Sequence, residues 1–263
     1  MKIVSWNVNS LKVRLPQLLD YLERAQPDVI CLQEIKLENH NFPEAVINVA
    51  GYHAVFSGQK AYNGVALLSS QAIDDVVIDN PYFPDAQKRL LAATIQGIRI
   101  VCAYVPNGQE IGSAKFDYKL EWLAALQQWL AELLAGNEYL VLAGDLNIAP
   151  SDEDVHDPVV WAGQILCSKT ERDAFRNLLA LGLKDSFRLF EQPEKSFSWW
   201  DYRMHGFQRN LGLRIDHILL SSPLARVCRL AGIDKGMRKH ERPSDHAPVW
   251  AVVDMPLPCC AHD

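Results

Sequence analysis

The 263-residue sequence contains no Cys-x-x-Cys pair and no cysteine–histidine spacing of a structural zinc site. Of its six cysteines, Cys31 and Cys102 lie inside apolar runs and read as buried thiols, while Cys259 and Cys260 are adjacent at the tail. A disulfide framework is therefore not expected, and a reducing cytoplasm is. No apolar run approaches the roughly 20 residues of a membrane span. No basic-then-apolar opening precedes Ile3, so no signal peptide is expected. Repeats and low-complexity linkers are also missing, which disfavours solenoids and flexibly joined modules. Positive charge is in deficit. The net charge of -6 argues against a role that coats nucleic acid through bulk charge.

What is present is a sizeable apolar fraction, 49% of residues, on a chain long enough to bury a core without staples. Apolar strand-like runs alternate with amphipathic helical segments through both halves, which favours one two-sheet α/β sandwich over two independent domains. Arg14–Ala25 carries Leu15, Leu18, Leu19 and Leu22 at helical spacing. Phe42–Val49 reads as a short helix, and Lys115–Ala135 and Glu171–Leu181 as longer ones. Tyr52–Ser57 and Gly64–Ser69 read as paired strands, and Gln96-Gly97 as a hairpin turn between Arg89–Ile95 and Ile98–Val105. Phe197–Arg203 is aromatic and strand-like, and Leu213–Leu220 is a strand with Asp216 inside it. Residues from Met255 onward read as a disordered tail.

The apolar run Leu140–Gly144 ends by presenting Asp145 and Asn147. Strand alternation would put this carboxylate and carboxamide on one face, whereas an Asx turn is the plainer alternative. Other apolar strands end the same way. Ile3–Val8 carries Asn7, Val29–Leu32 leads to Glu34, and a polar turn holds Asp245 and His246. The strand–helix–strand unit of residues 3–34 fits a right-handed crossover, which brings Asn7 and Glu34 to one edge. Together with Asp216 these residues form an acid- and amide-rich set with one histidine and no cysteine. Such a hard oxygen-rich site suits Mg²⁺ or Mn²⁺ rather than structural zinc. Taken singly, each of these residues is as well read as a turn residue or a hydrogen-bonded core acid. It is their recurrence at strand ends that points to a cleft.

Asn7, Leu32-Gln33-Glu34, Tyr104-Val105-Pro106-Asn107-Gly108, Gly144-Asp145-Leu146-Asn147, Leu213-Arg214-Ile215-Asp216 and Ser244-Asp245-His246-Ala247-Pro248 occur in that order. In this the chain resembles the exonuclease III family of apurinic/apyrimidinic endonucleases, from Met1 to about Asp254. The resemblance implies a four-layer α/β sandwich, two packed mixed β-sheets flanked by helices, as one domain over 1–254 with 255–263 as the tail. It also implies Mg²⁺-dependent hydrolysis of DNA phosphodiesters 5′ to an abasic site. Activity at 3′ ends, as a 3′-phosphodiesterase, 3′-phosphatase or 3′→5′ exonuclease, is implied as well. By resemblance Glu34 holds the metal, with Asn7, Asp145, Asn147, Asp245 and His246 around it. Asp145 orients or deprotonates the attacking water and Asn147 positions it. His246, paired with Asp216, contacts the scissile phosphate, and Tyr104 contacts the phosphate or the leaving oxygen.

The implied partner is duplex DNA with abasic sites or damaged 3′ ends, met by a monomer with no membrane role. Between Trp199 and Arg242 nine basic residues face four acidic ones, a local positive stretch in an acidic protein. Lys60, Asn107, Trp199, Trp200, Arg203 and Arg214 are the expected DNA contacts. The segment His156–Ser168 carries Trp161, Ile165 and Leu166, bulky residues that would narrow the pocket and favour 3′-end processing. Alternatives of other kinds are a phosphodiesterase or phosphatase of the same superfamily acting on lipids, inositol phosphates or RNA, and a non-catalytic nucleic-acid-binding regulator.

Overall fold

A computed structural model describes residues 1–254, so the expected tail lies outside the described residues. In chain order the first strands are β1 (Lys2–Asn7), β2 (Val29–Gln33), β3 (His53–Ser57), β4 (Val65–Ser69), β5 (Asp74–Ile78), β6 (Leu90–Ile95), β7 (Ile98–Tyr104) and β8 (Leu140–Asp145). They are followed by β9 (Leu183–Asp185), β10 (Trp199–Trp200), β11 (Gly212–Leu213), β12 (Asp216–Ser221), β13 (Cys228–Ile233) and β14 (Val249–Val253). The helices are α1 (Leu11–Ala25), α2 (Glu44–Val49), α3 (Ala114–Gly136), α4 (Pro158–Trp161), α5 (Lys169–Ala180) and α6 (Ser222–Arg226).

Two six-stranded sheets form, ordered β13-β14-β1-β2-β4-β3 and β5-β6-β7-β8-β12-β9. Both are mixed, with β1–β2 and β7–β8 parallel inside otherwise antiparallel surroundings. Ile3, Cys31 and Leu67 of the first sheet meet Leu91, Cys102, Val141 and Ile218 of the second in a fully buried central layer. The outer face of the first sheet, with Val4, Ile30 and Leu68, packs on Leu18 and Leu22 of α1. The outer face of the second, with Ala103 and Leu142, packs on Trp122, Leu126 and Trp129 of α3 and Phe175 of α5. Central strands apolar on both faces are thus covered on both faces, the four-layer sandwich that the family resemblance implies. Gln96 (φ 48) and Gly97 (φ 78) make the β6–β7 turn with two positive φ angles, as a tight hairpin requires.

The local differences have identifiable causes. Helix α1 starts at Leu11 rather than Arg14, because Ser10 and Leu11 N–H donate to the carbonyls of Glu34 (2.8 Å) and Ile35 (3.0 Å). Pro16 therefore falls inside the helix. The residues before Glu44 are not α-helical, and a short 3₁₀ turn occupies Asn39–Asn41. The strand read over Leu213–Leu220 is broken. Leu213, with Gly212 before it, pairs with Trp199–Trp200 in a separate two-stranded ribbon, and the sheet strand begins at Asp216. Of Phe197–Arg203 only Trp199–Trp200 is strand. Strand β5 was not legible, since its pattern is largely exposed.

Candidate active site

The sheet topology brings the polar groups to one edge. Strands β1, β2, β7 and β8 deliver Asn7, Glu34, Tyr104 and Asp145 at or just beyond their carboxyl ends. Strand β12 runs antiparallel to β8 and begins at Asp216, placed in register opposite Asp145. The turn before β14 supplies Asp245 and His246. Gly144 lets β8 lie against β7 here, because a Cβ would sit 1.8 Å from the Ala103 carbonyl oxygen.

Asn7 Nδ2 donates to Glu34 Oε1 and to Asp145 Oδ2, each at 2.9 Å. Tyr104 Oη donates to the same Glu34 oxygen at 2.8 Å. His246 Nδ1 donates to Asp216 Oδ2 at 2.9 Å, and its Nε2 stands 3.8 Å from Asp145 Oδ2. Ser198 Oγ donates to Asp216 at 2.6 Å while accepting the Ile215 and Asp216 N–H groups, so the acid is fixed from two sides. Asn7, Asp145, Asp216 and His246 are all buried, none more than 4% exposed.

These contacts set the charges. Burial works against an imidazolium at His246, but Asp216, Asp145 and Asp245 outweigh it and push its pKa up to about 10. Burial raises the Asp145 carboxyl, with His246 opposing and Asp216 adding to the rise. At Glu34 burial would raise the pKa, yet Lys36, the Asn7 amide and His246 together lower it. Tyr104 is raised by burial and by the Glu34 and Asp145 carboxylates, which keeps the phenol a neutral donor.

Asn147 is placed differently from the strand-face expectation. The strand stops at Asp145, Asn147 adopts a left-handed conformation (φ 50), and its N–H donates to Asp145 Oδ1 at 3.0 Å. This is the Asx turn, and it still points the amide into the site, where Nδ2 donates to Val105 O at 3.0 Å. Asn107 Nδ2 donates to Asn147 Oδ1 at 3.3 Å. Glu34, Asp145 and His246 can each offer one ligand atom so that all three atoms lie within 4.8 Å of one another. The carboxylates of Glu34 and Asp145, closely set and mostly buried, fit a hard divalent cation, while the charged His246 beside them acts as a donor rather than a ligand. Asp245 stands outside that group, its oxygens accepting from Asn9 Nδ2 (2.8 Å) and Trp199 Nε1 (3.0 Å).

Two expected DNA contacts are corrected. Arg214 is 2% exposed, and its guanidinium is held by Asp154 (2.6 Å) and Asp185 (2.8 Å), so it has no reach to a phosphate. Trp200 is fully buried against Phe197, Ala247 and Phe207, and its Nε1 donates to Asn210. Trp199 beside it is half-buried and faces His246, ring centroids 6.5 Å apart. Lys60, Asn107 and Arg203 are exposed, Arg203 against Asp201 at 2.6 Å. Sequence reasoning missed Lys36, 2.8 Å from Glu34 Oε2, and Asn9, which accepts from Lys36 and donates to Asp245. Ser198 was missed too. Lys36 lies two residues from Glu34 and Asn9 two from Asn7, a spacing that was the available signal.

Known proteins resemble this chain over nearly its whole length. The family model described as the endonuclease/exonuclease/phosphatase family matches residues 4–246. The chain is 40% identical to exodeoxyribonuclease III of Haemophilus influenzae, over 95% of this chain and 99% of that protein. A solved structure described as a 3′ phosphatase, NExo from Neisseria bound to product DNA hairpin, superposes with TM-score 0.95 at 47% identity, covering 97% of this chain and all of that one. An AP endonuclease structure from Archaeoglobus fulgidus gives TM-score 0.93 at 39% identity, with the same coverage. The chain belongs to the endonuclease/exonuclease/phosphatase family, in the exonuclease III branch that its motifs resemble. The enzyme class expected from those motifs, a DNA repair nuclease, stands with it.

Proposed function

We propose that the chain hydrolyses DNA phosphodiesters at abasic sites and at blocked 3′ ends, with Asp145 and His246 at the centre of the reaction. The observation that carries this reading is the meeting of Glu34, Asp145 and the Asp216–His246 pair at one end of the two sheets beside Trp199. Asp145 orients the attacking water and takes its proton, a task helped by its raised pKa. Asn147, held by Val105 and Asn107, fixes the position of that water. The His246 imidazolium, kept charged by Asp216, binds the non-bridging phosphate oxygens. Tyr104 donates from its phenol to the phosphate or the leaving oxygen. A cation held at Glu34, Mg²⁺ or Mn²⁺ by the hardness of the donors, would supply Lewis acidity toward the phosphoryl and leaving oxygens. Trp199 lines the place of the sugar, and the exposed side chains of Lys60, Asn107 and Arg203 take the backbone contacts.

A second reading, the 3′-end specialist, has one observation in its favour. Leu166 lies in a left-handed conformation (φ 70) and is 4% exposed. Trp161, Ile165 and Trp199 pack on its cluster, an apolar wall at the sugar side of the site. No helix among the described residues is long and apolar enough to cross a membrane, and Cys31, Cys102, Cys167 and Cys228 are free thiols, which supports action in a reducing cytoplasm. The substrate is met by a monomer.

Two duplexes test the reading, one with a central abasic analogue and one with a nick bearing a 3′-phosphate, each with Mg²⁺ or with EDTA. Mg²⁺-dependent incision of the first and dephosphorylation of the second is expected. Action on the nick alone would favour the specialist. Inactivity on both would overturn the proposal.

A further inference from the structure

Helix α3 carries a charged side chain on its buried face. Lys119 shares that face with Phe116, Trp122, Leu123 and Leu126 and is 0% exposed. Its partner Glu171, in the first turn of α5, is also 0% exposed, and the two form an ion pair. Taking two charges out of water costs several kcal/mol each, and an apolar pair of similar volume often serves a fold as well or better. Phe116, Trp122, Leu123 and Leu126 already anchor the helix around Lys119. Packing alone therefore gives no reason for a cation there.

The hydrogen bonds give one. Lys119 Nζ donates to the backbone carbonyl of Asn147 at 2.7 Å and to that of Asn107 at 3.2 Å. Its third partner, Glu171, accepts the Leu166 N–H at Oε1 (3.0 Å) and the Ser168 N–H at Oε2 (3.1 Å). Leu166 O in turn accepts the Ala149 N–H at 2.8 Å. One buried ammonium thus ties the loop after β7, the loop after β8 and the approach to α5. Gly108, at φ 89, lets the first loop lie against the lysine stem, since a Cβ there would come within 3.0 Å of Lys119 Cδ. A tetrahedral ammonium with three donors can hold three acceptors from different loops, which no apolar side chain does. The tied residue Asn147 turns through a left-handed conformation that asparagine adopts readily, and the lysine holds the carbonyl of that turn in place.

We infer that Lys119, charge-balanced by Glu171, is a positioning residue that fixes Asn147 in the site and thereby sets the rate of the hydrolytic step. The inference rests on the proposed nuclease reading. Lys119 is fully buried. It acts through the backbone of Asn147, and the expected signature is a change in kcat with little change in KM.

The test compares wild type with the charge-neutral double variant Lys119→Met/Glu171→Gln, which leaves no unpaired buried charge. Steady-state kinetics are read on whichever of the two duplexes wild type cuts, beside a thermal melt. The expected result is a melting temperature near wild type, a KM within about threefold, and kcat lower by roughly 10- to 100-fold, the scale of a 1 Å misplacement. The single Lys119→Met variant leaves Glu171 uncompensated and is expected to melt well below the double variant. A folded double variant with wild-type kcat, or one changed in KM alone, would overturn the inference. A double variant that does not fold would overturn it as well, since the pair would then be a requirement of folding. Wild type inactive on both duplexes would instead remove the nuclease reading.

Discussion

Asp145 and Asp216 stand opposite each other in the register of the antiparallel β8–β12 pair, and His246 lies between their carboxylates. One imidazole thus reaches both acids, and in the proposed mechanism the three groups act as a unit. Removing the Asp216 charge withdraws the largest support for the charged imidazole. Asp216→Asn and His246→Gln are each expected to lower the single-turnover rate by about 10²- to 10⁴-fold. The double variant is expected to be no slower than the worse single one, because units that act together are not additive. Independent, multiplying losses would show that the pair does not work as a unit.

The wall beside Trp199 predicts specificity. Leu166 is packed among Val155, Leu213 and Ile215, and its left-handed backbone suits glycine without strain. Leu166→Gly is expected to raise abasic-site incision relative to 3′-phosphate removal by several-fold, measured as the ratio of kcat/KM on the two duplexes. An unchanged ratio would remove the wall from the account of substrate choice.

Buried His217 predicts a pH dependence of stability. Its Nε2–H donates to Ile148 O at 2.9 Å, leaving Nδ1 to accept from Arg214 at 3.2 Å. Burial and the Arg214 cation lower its pKa from 6.5 to about 4, with Asp185 and Asp154 opposing. The unfolded chain takes up this proton as the pH falls through 6.5, and the folded chain does not until about 4. The stability from the neutral ring is complete above the unfolded value and lost below it, on the order of 2 kcal/mol between pH 7 and pH 5. Urea unfolding of wild type should show this slope, and His217→Gln, which keeps an acceptor and a donor, should flatten it. Equal slopes would contradict the assignment.

Much of this was legible along the chain, for physical reasons. Continuous apolar runs such as Leu140–Gly144 announce strands covered on both faces, and the helical stripe of Leu15, Leu18 and Leu22 announces α1. Polar residues at strand ends predicted the edge at which Asn7, Glu34 and Asp145 meet. What stayed hidden depends on partners distant in the chain. Arg214 looked like a phosphate contact because local charge carries no sign of Asp154, sixty positions earlier, or of Asp185. Trp199 and Trp200 are neighbours of one type, and only the β10–β11 pairing decides that the second turns inward. Lys119 could not be told from a solvated helix charge without the loops that bury it.

The most direct test of the central claim is Asp145→Asn on the two duplexes in Mg²⁺, with DNA affinity measured alongside by anisotropy. The amide keeps the shape of the carboxylate and loses its ability to take a proton. The predicted result is binding close to wild type with turnover lower by about 10³-fold on every substrate that wild type cuts. Turnover within tenfold of wild type would contradict the account and move the chemistry away from this sheet edge.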